Sequence, residues 1–241
     1  MIEIFSCNSE ELQVHGDPNL ITIKFFLMKV NFNVGSKAEL EMVKGIGDIL
    51  SSRIIEFRSL GGELNNLEEL LKVNGFTENS LENLKANNSE VNFDFEVKYK
   101  LHPIFNRKLS IRNDAAGEGR FGSSREGGKR RHKGVDIECK KGEMVYSPIT
   151  GVLTKIGRAY KDDAKYLALT LVGVDEYLGL TVKLLYVAHI DSHHVNNKVV
   201  KGTPIGICQA ISEKYGAPMK DHVHVECLVN QAHVDPTLMI F

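Results

Sequence analysis

Apolar and polar positions change their rhythm near residue 88. Between about residues 36 and 86 they recur at helical spacing. In "GIGDILSSRIIEFRSLGG", Ile49, Leu50, Ile54 and Phe57 share one side of a helix, and Gly61-Gly62 close it. In "SKAELEMV", Ser36 is a cap and Glu39, three residues on, completes a capping box. "NNLEELLKV" and "TENSLENLKA" read as two shorter helices, and the alternating "VNFDFEVKY" within 87–110 as a linker strand. From residue 111 short β-branched runs are broken by Gly and Pro: "KGVDIEC", "GVLTKIG", "YLALTLVGV", "TVKLLYVAHI" and "HVHVECL". The expected fold class is two domains, a small all-α domain followed by an all-β domain built on an antiparallel sheet. The expected boundaries are an N-terminal extension (1–29), the helical domain (30–88), a linker (89–110) and a β domain (111–241) of ordinary domain size.

Composition narrows the picture only a little. The 241 residues are 42% hydrophobic and 25% charged, with a net charge of −1, so affinity for nucleic acid or membrane would have to come from a local patch. No apolar run approaches the roughly 18–20 residues that span a bilayer. Glu3, Glu10 and Glu11 stand where a secretory leader carries basic residues, and Lys24 interrupts "LITIKFFLM"; the N-terminus reads as lacking a signal peptide, which leaves the compartment open. Cys7, Cys139, Cys208 and Cys227 form no CxxC pair, which argues against a thiolate zinc finger, and their disulfide state is left open. Charge is uneven: residues 119–133 hold six bases and one acid, net +5, whereas 35–88 hold six bases and nine acids, net −3. The basic run suits an anionic polymer such as a wall polymer, a glycan or nucleic acid.

In the helical half, Gly45-Ile46-Gly47 separates two helical segments, and Gly75 repeats the theme about thirty residues on. A glycine turn can open the first backbone amides of the next helix to a phosphate. The stretch 30–86, with "VNFNVGSKAELEMVKGIG", "IIEFR", a Gly-Gly break and "LEELLKVNGF", resembles the tandem helix-hairpin-helix domain of the ComEA type. That resemblance implies a DNA-binding module without sequence specificity, with Gly45, Ile46 and Gly47 at the phosphate. Thr77 departs from it, standing where a second glycine is usual. The net −3 suits phosphate contact poorly, so a scaffold that docks a protein is the competing reading.

In the β half, "HKGVDIEC" sets His132 four residues before Asp136, on one face of a strand. "HVHVE" alternates, putting His222, His224 and Glu226 on one face with Val223 and Val225 on the other. Alone, each could be a polar sheet face in water. Imidazoles and a carboxylate together suit zinc, and "LLYVAHI" supplies His189 at the end of an apolar strand.

The segment from about Gly119 to Phe241 resembles the zinc metallopeptidases of the lysostaphin/LytM type, through "FGSSREGGKRRHKGVDIECKKGEMVYSPITGVL", "YVAHI" and "HVHVE". It is especially similar to the leukocyte cell-derived chemotaxins, secreted animal relatives. The resemblance implies zinc (Zn2+) held by His132, Asp136 and His224, with a fourth position open to water. His222 and His189 would flank that water, one as general base, the other holding the developing oxyanion. It implies hydrolysis of peptide bonds in bacterial peptidoglycan cross-bridges. The chemotaxins lack the histidine of the "YxxH" segment, which this chain keeps as His189, and have a disulfide cysteine where this chain has Thr181. A zinc-stabilised recognition or signalling protein like the chemotaxins is the alternative, which the retained His189 counts against, with a DNA-associated protein third. His193 and His194 read as loop residues.

Overall fold

The computed structural model describes residues 28–216 and 218–241, so the extension expected over 1–29 and Cys7 fall almost wholly outside the described residues. The chain divides into two compact units. One comprises residues up to Ile54 with Leu64–Glu96, the other Ile55–Glu63 with Val97–Phe241.

In the first unit, Ser36 caps helix α1 (Lys37–Glu41) through the expected box with Glu39. Helix α2 (Asp48–Ser59) begins in this unit, and its residues from Ile55 on, with the glycines after it, count with the second. It ends as expected at Gly61, whose φ of +86° is open to glycine, and the Gly62 N–H returns to the Phe57 carbonyl at 3.0 Å. Its inward stripe differs from the expected one. Ile49 is 65% exposed, and the buried positions are Ser51, Ile54, Ile55 and Arg58. The stripe keeps the helical period but is shifted, because Ser51 satisfies its hydroxyl on the Gly47 and Asp48 carbonyls and can sit inside. "NNLEELLKV" forms a 3₁₀ turn (Leu67–Lys72) rather than an α-helix, and α3 (Glu78–Asn87) follows.

The two helical hairpins repeat each other. Ile46 N–H bonds the Val43 carbonyl at 3.0 Å, and Phe76 N–H bonds the Val73 carbonyl at 3.1 Å. Gly45 and Gly75 hold φ of +97° and +91° in the two turns, and Val43, Ile46, Val73 and Phe76 are buried. Strand β1 (Met28–Asn31) pairs in parallel with β2 (Val91–Asp94), so part of the "VNFDFEVKY" run completes a small sheet of this unit. Asn33 locks the sheet to the helical turns: its Nδ2 donates to the Leu64 and Phe95 carbonyls and its Oδ1 accepts the Leu64 N–H.

The second unit is β-rich, as expected. The strands of its two sheets are β3 (Val135–Glu138), β4 (Met144–Tyr146), β5 (Gly151–Tyr160), β6 (Asp163–Gly173), β7 (Leu180–Leu185), β8 (Val187–His189), β9 (Lys198–Val199), β10 (Pro204–Cys208), β11 (His222–Val229) and β12 (Ala232–Val234), beside two short hairpins of two-residue strands. The main sheet runs β9-β5-β6-β7-β11-β12, with β3 also paired to β11. Every pairing in it is antiparallel. A second sheet runs β8-β10-β4. The chain steps from β7 to β8 at Tyr186, whose φ of +67° is uncommon for a residue with a side chain. Burial is deepest under the main sheet, at Val135, Ile137, Leu169, Leu171, Val182, Leu184, Val223 and Val225. Tyr99, Leu101, Ile104 and Phe105, from the 89–110 stretch, are buried too.

Replacing Asn33 with Ala strands the buried N–H and carbonyl of Leu64, each costing about 1–3 kcal/mol, and the half-buried Phe95 carbonyl. The expected result is a lower urea midpoint for the first unit with its m-value unchanged.

Candidate metal centre

The centre rests on one piece of register. In the antiparallel pairing of β3 with β11, Asp136 lies directly opposite His224, and Glu138 opposite His222. Opposed residues in such a ladder put their side chains on the same face. The strands approach closely because residue 134 is glycine. A Cβ there would run into the Val225 carbonyl oxygen and lie 2.9 Å from His224 Cε1. His132, just before β3, is anchored by backbone bonds to Gly122 and Ser123.

Three ligand atoms converge. His132 Nε2 is 2.9 Å from His224 Nδ1 and 3.1 Å from Asp136 Oδ1, and His224 Nδ1 is 2.8 Å from Asp136 Oδ1. Zinc–ligand bonds of about 2.0–2.1 Å at tetrahedral angles separate ligand atoms by roughly 3.3 Å, so small movements admit the ion. The outer nitrogens are held as ligating imidazoles usually are. His132 Nδ1 donates to the Arg120 carbonyl at 2.8 Å, and His224 Nε2 meets Glu226 Oε1 at 3.2 Å. These bonds leave Nε2 of His132 and Nδ1 of His224 facing inward.

The electrostatics fit a cation in the middle. Burial opposes a charged His224, but hydrogen bonds to Asp136 and Glu226 outweigh it and push its pKa up to about 9. Burial likewise opposes the Asp136 charge, yet the bonds from His132 and His224 hold its carboxyl well below the usual range. Burial pushes His132 down, so its Nε2 stays a lone-pair acceptor. The proton on His224 Nδ1 thus sits between the Asp136 oxygen and the His132 lone pair, where a metal would displace it.

Residues 130–236 match the model of peptidase family M23, and residues 27–87 that of the helix-hairpin-helix motif. The chain is 30% identical over 125 residues to leukocyte cell-derived chemotaxin-2 of Mus musculus, covering 52% of this chain and 74% of that protein. The chain belongs to peptidase family M23. Myeloid protein 1 of Gallus gallus is 31% identical over 131 residues, of which this chain covers 35% of the length. Among solved structures, the catalytic domain of lysostaphin from Staphylococcus simulans aligns at a TM-score of 0.39 and 21% identity, covering 52% of this chain and 90% of that one. A zinc-containing peptidase from Vibrio cholerae aligns at 0.42 and 18%, covering 64% of this chain and 42% of that one.

Of the other candidates, only His222 is joined to the cluster by a contact among the described residues. His222 is buried; its Nδ1 donates to the Lys220 carbonyl at 2.8 Å, and its Nε2 lies 3.8 Å from Asp136 Oδ1. The Tyr186 ring meets the His222 ring edge-on at 5.3 Å between centroids. Burial pushes the His222 pKa down and keeps the ring neutral. His189 ends β8, and no hydrogen bond or ion pair joins it to the other four among the described residues. Its Nδ1 is buried without a hydrogen-bond partner. His193 and His194 lie between β8 and β9; His193 Nε2 donates to the Pro204 carbonyl at 3.0 Å, and the His194 N–H donates to Asn197 Oδ1 at 2.7 Å. Gly45 and Gly47 are exposed in the first unit with open space where a Cβ would sit, while the Ile46 side chain is buried. Ile46 therefore has only its backbone to offer a ligand. Cys139, Cys208 and Cys227 are free thiols.

Sequence reasoning missed Arg112, Arg125 and Tyr186. Arg112 Nε and Nη2 hold Asp136 Oδ2 at 3.3 and 3.2 Å, and Arg125 Nη2 lies 3.5 Å from it. Nothing local marks Arg112, which is 24 positions from Asp136. Glu226 was legible on the His224 face by alternation, though not its bond to His224 Nε2.

Purified chain is expected to hold one zinc by metal analysis. His224→Ala and Asp136→Ala should lose it, while Glu226→Gln keeps it with affinity lowered about 10- to 100-fold.

Proposed function

We propose that this chain is a zinc metalloendopeptidase that hydrolyses peptide bonds in bacterial peptidoglycan cross-bridges. The observation that carries the reading is the buried His132–Asp136–His224 triangle, all three ligand atoms within 4.8 Å of one another, with a neutral His222 beside it. Zinc held by His132 Nε2, Asp136 Oδ1 and His224 Nδ1 would supply Lewis-acid activation of water and carbonyl, leaving a fourth position open.

The chain's own residues handle the proton. With Nδ1–H held by the Lys220 carbonyl, His222 Nε2 carries a lone pair toward the cluster and accepts the proton of the attacking water as general base. It then returns that proton to the leaving amine. Burial suits this role, because it keeps the ring unprotonated near neutral pH. His189 is assigned the oxyanion. An unpartnered buried nitrogen suits a group that finds its partner when substrate is bound. The peptidoglycan assignment follows from the family, and the +5 stretch over 119–133 suits an anionic wall polymer.

The identity with chemotaxin-2 favours a second reading, in which the zinc-bound domain recognises a partner and cleaves nothing. Retention of His189 favours the peptidase. The helical module serves docking in this proposal. Asp48, in the first turn of α2, puts a carboxylate where a phosphate would bind, beside the net charge of −3.

Zinc-loaded protein should cut pentaglycine or whole peptidoglycan, and chelator should stop it. His222→Ala should keep its zinc and lose about 100- to 10,000-fold in kcat. If several peptidoglycan types and glycine peptides stay uncut, the peptidase reading falls and the recognition reading stands. A salt-sensitive mobility shift with duplex DNA, lost in Gly45→Val, would instead assign the module to DNA.

A further inference from the structure

We propose that Arg112 and Asp114 are positioning residues that lock Asp136 with a single oxygen toward the metal and tie that lock to the backbone holding His222. The inference rests on the metallopeptidase reading above.

Arg112 braces Asp136 through both backbone and side chain. Its N–H donates to the Asp136 carbonyl at 2.8 Å, and its own carbonyl accepts the Gly119 N–H at 2.7 Å. The Asp136 N–H in turn donates to the Gly119 carbonyl at 2.8 Å. Gly119 permits this three-way contact, since a Cβ there would lie 2.7 Å from Asp136 Cβ and 2.9 Å from the Arg112 oxygen. The guanidinium, only 3% exposed as a residue, then grips Asp136 Oδ2 with Nε and Nη2 and donates Nη1 to Asp114 Oδ1 at 2.7 Å.

Asp114 extends the brace. Its Oδ2 accepts the Lys220 N–H at 2.9 Å, and Lys220 holds His222 Nδ1 through its carbonyl at 2.8 Å. A continuous run of bonds therefore joins the carboxylate of the metal half to the imidazole of the proton-handling half. It passes through a hairpin (Asn113–Asp114 with Gly117–Glu118) that contributes no ligand.

The division of labour between the Asp136 oxygens has a chemical consequence. A carboxylate free to rotate can chelate a metal through both oxygens and fill the position that water needs. With Oδ2 held by the Arg112 fork and faced by Arg125, only Oδ1 can reach the ion. A simple counter-charge would need only a cation nearby. A lock needs the planar fork, which lysine cannot reproduce.

The test uses the purified full chain and the variants Arg112→Lys and Asp114→Asn. Zinc affinity is read by chelator competition and coordination by the visible spectrum of the Co2+-substituted protein. Thermal melting identifies the variants that fold. Arg112→Lys keeps the charge and loses the fork. It is expected to melt near wild type, bind zinc about 10- to 100-fold more weakly and show an altered Co2+ spectrum. Asp114→Asn, which leaves Arg112 and Asp136 paired, should show the same changes in smaller measure and carries the test if Arg112→Lys does not fold. Wild-type zinc affinity with a wild-type Co2+ spectrum in the folded variant overturns the proposal while leaving the peptidase reading intact. A wild-type chain that binds no zinc overturns both.

Discussion

His224 faces Asp136 across an antiparallel ladder, and most of what this M23 domain can do depends on that register. A shift by one residue would present a valine to Asp136 and turn both histidines of β11 to the other face. The register is held from both sides. Val223 and Val225 are fully buried under the sheet, so slippage would expose them, and Gly134 lets β3 approach a carbonyl that any side chain would strike. Hydrophobic packing on one face thus sets polar geometry on the other.

Burying a carboxylate and three imidazoles is costly unless each is paired. The second unit meets that cost with a graded set of partners. Arg112 and Arg125 face the outer oxygen of Asp136, Glu226 faces the outer nitrogen of His224, and main-chain carbonyls hold His132 and His222. Opposing environments then separate the protonation states of neighbouring rings. His224, between two carboxylates, is pushed up to about 9, while burial pushes His132 and His222 down. One ring favours a positive charge and its neighbours stay neutral, an arrangement suited to holding a cation beside a base.

Legibility followed the range of each interaction. The capping box at Ser36 and the glycine stop at Gly61 are local, and the structure has both as expected. The inward stripe of α2 is set by what lies against it, so Ile49 lies outside and Ser51 inside. The "VNFDFEVKY" run alternates as a strand should, yet only β1, some sixty residues away, makes part of it one. In the β domain, period-two alternation placed His222, His224 and Glu226 on a common face, and the structure brings His132, Asp136 and His224 together. His189 is the exception. It ends a strand of the second sheet, and among the described residues no hydrogen bond or ion pair joins it to the cluster.

The sequence by itself determined the order of the two domains, the alternation that aligns the β11 histidines, and the residue types that suit zinc. These are properties of spacing along one strand, which short-range sterics dictate. Tertiary structure alone decided which side chains surround that face. Arg112 and Asp114 carry no mark in their own neighbourhoods, Arg125 and Tyr186 lie in stretches whose spacing does not show what they face, and all four are placed at the centre by the folded sheet. A strand's period says which way a side chain points, and the long-range pairing of strands says what it meets.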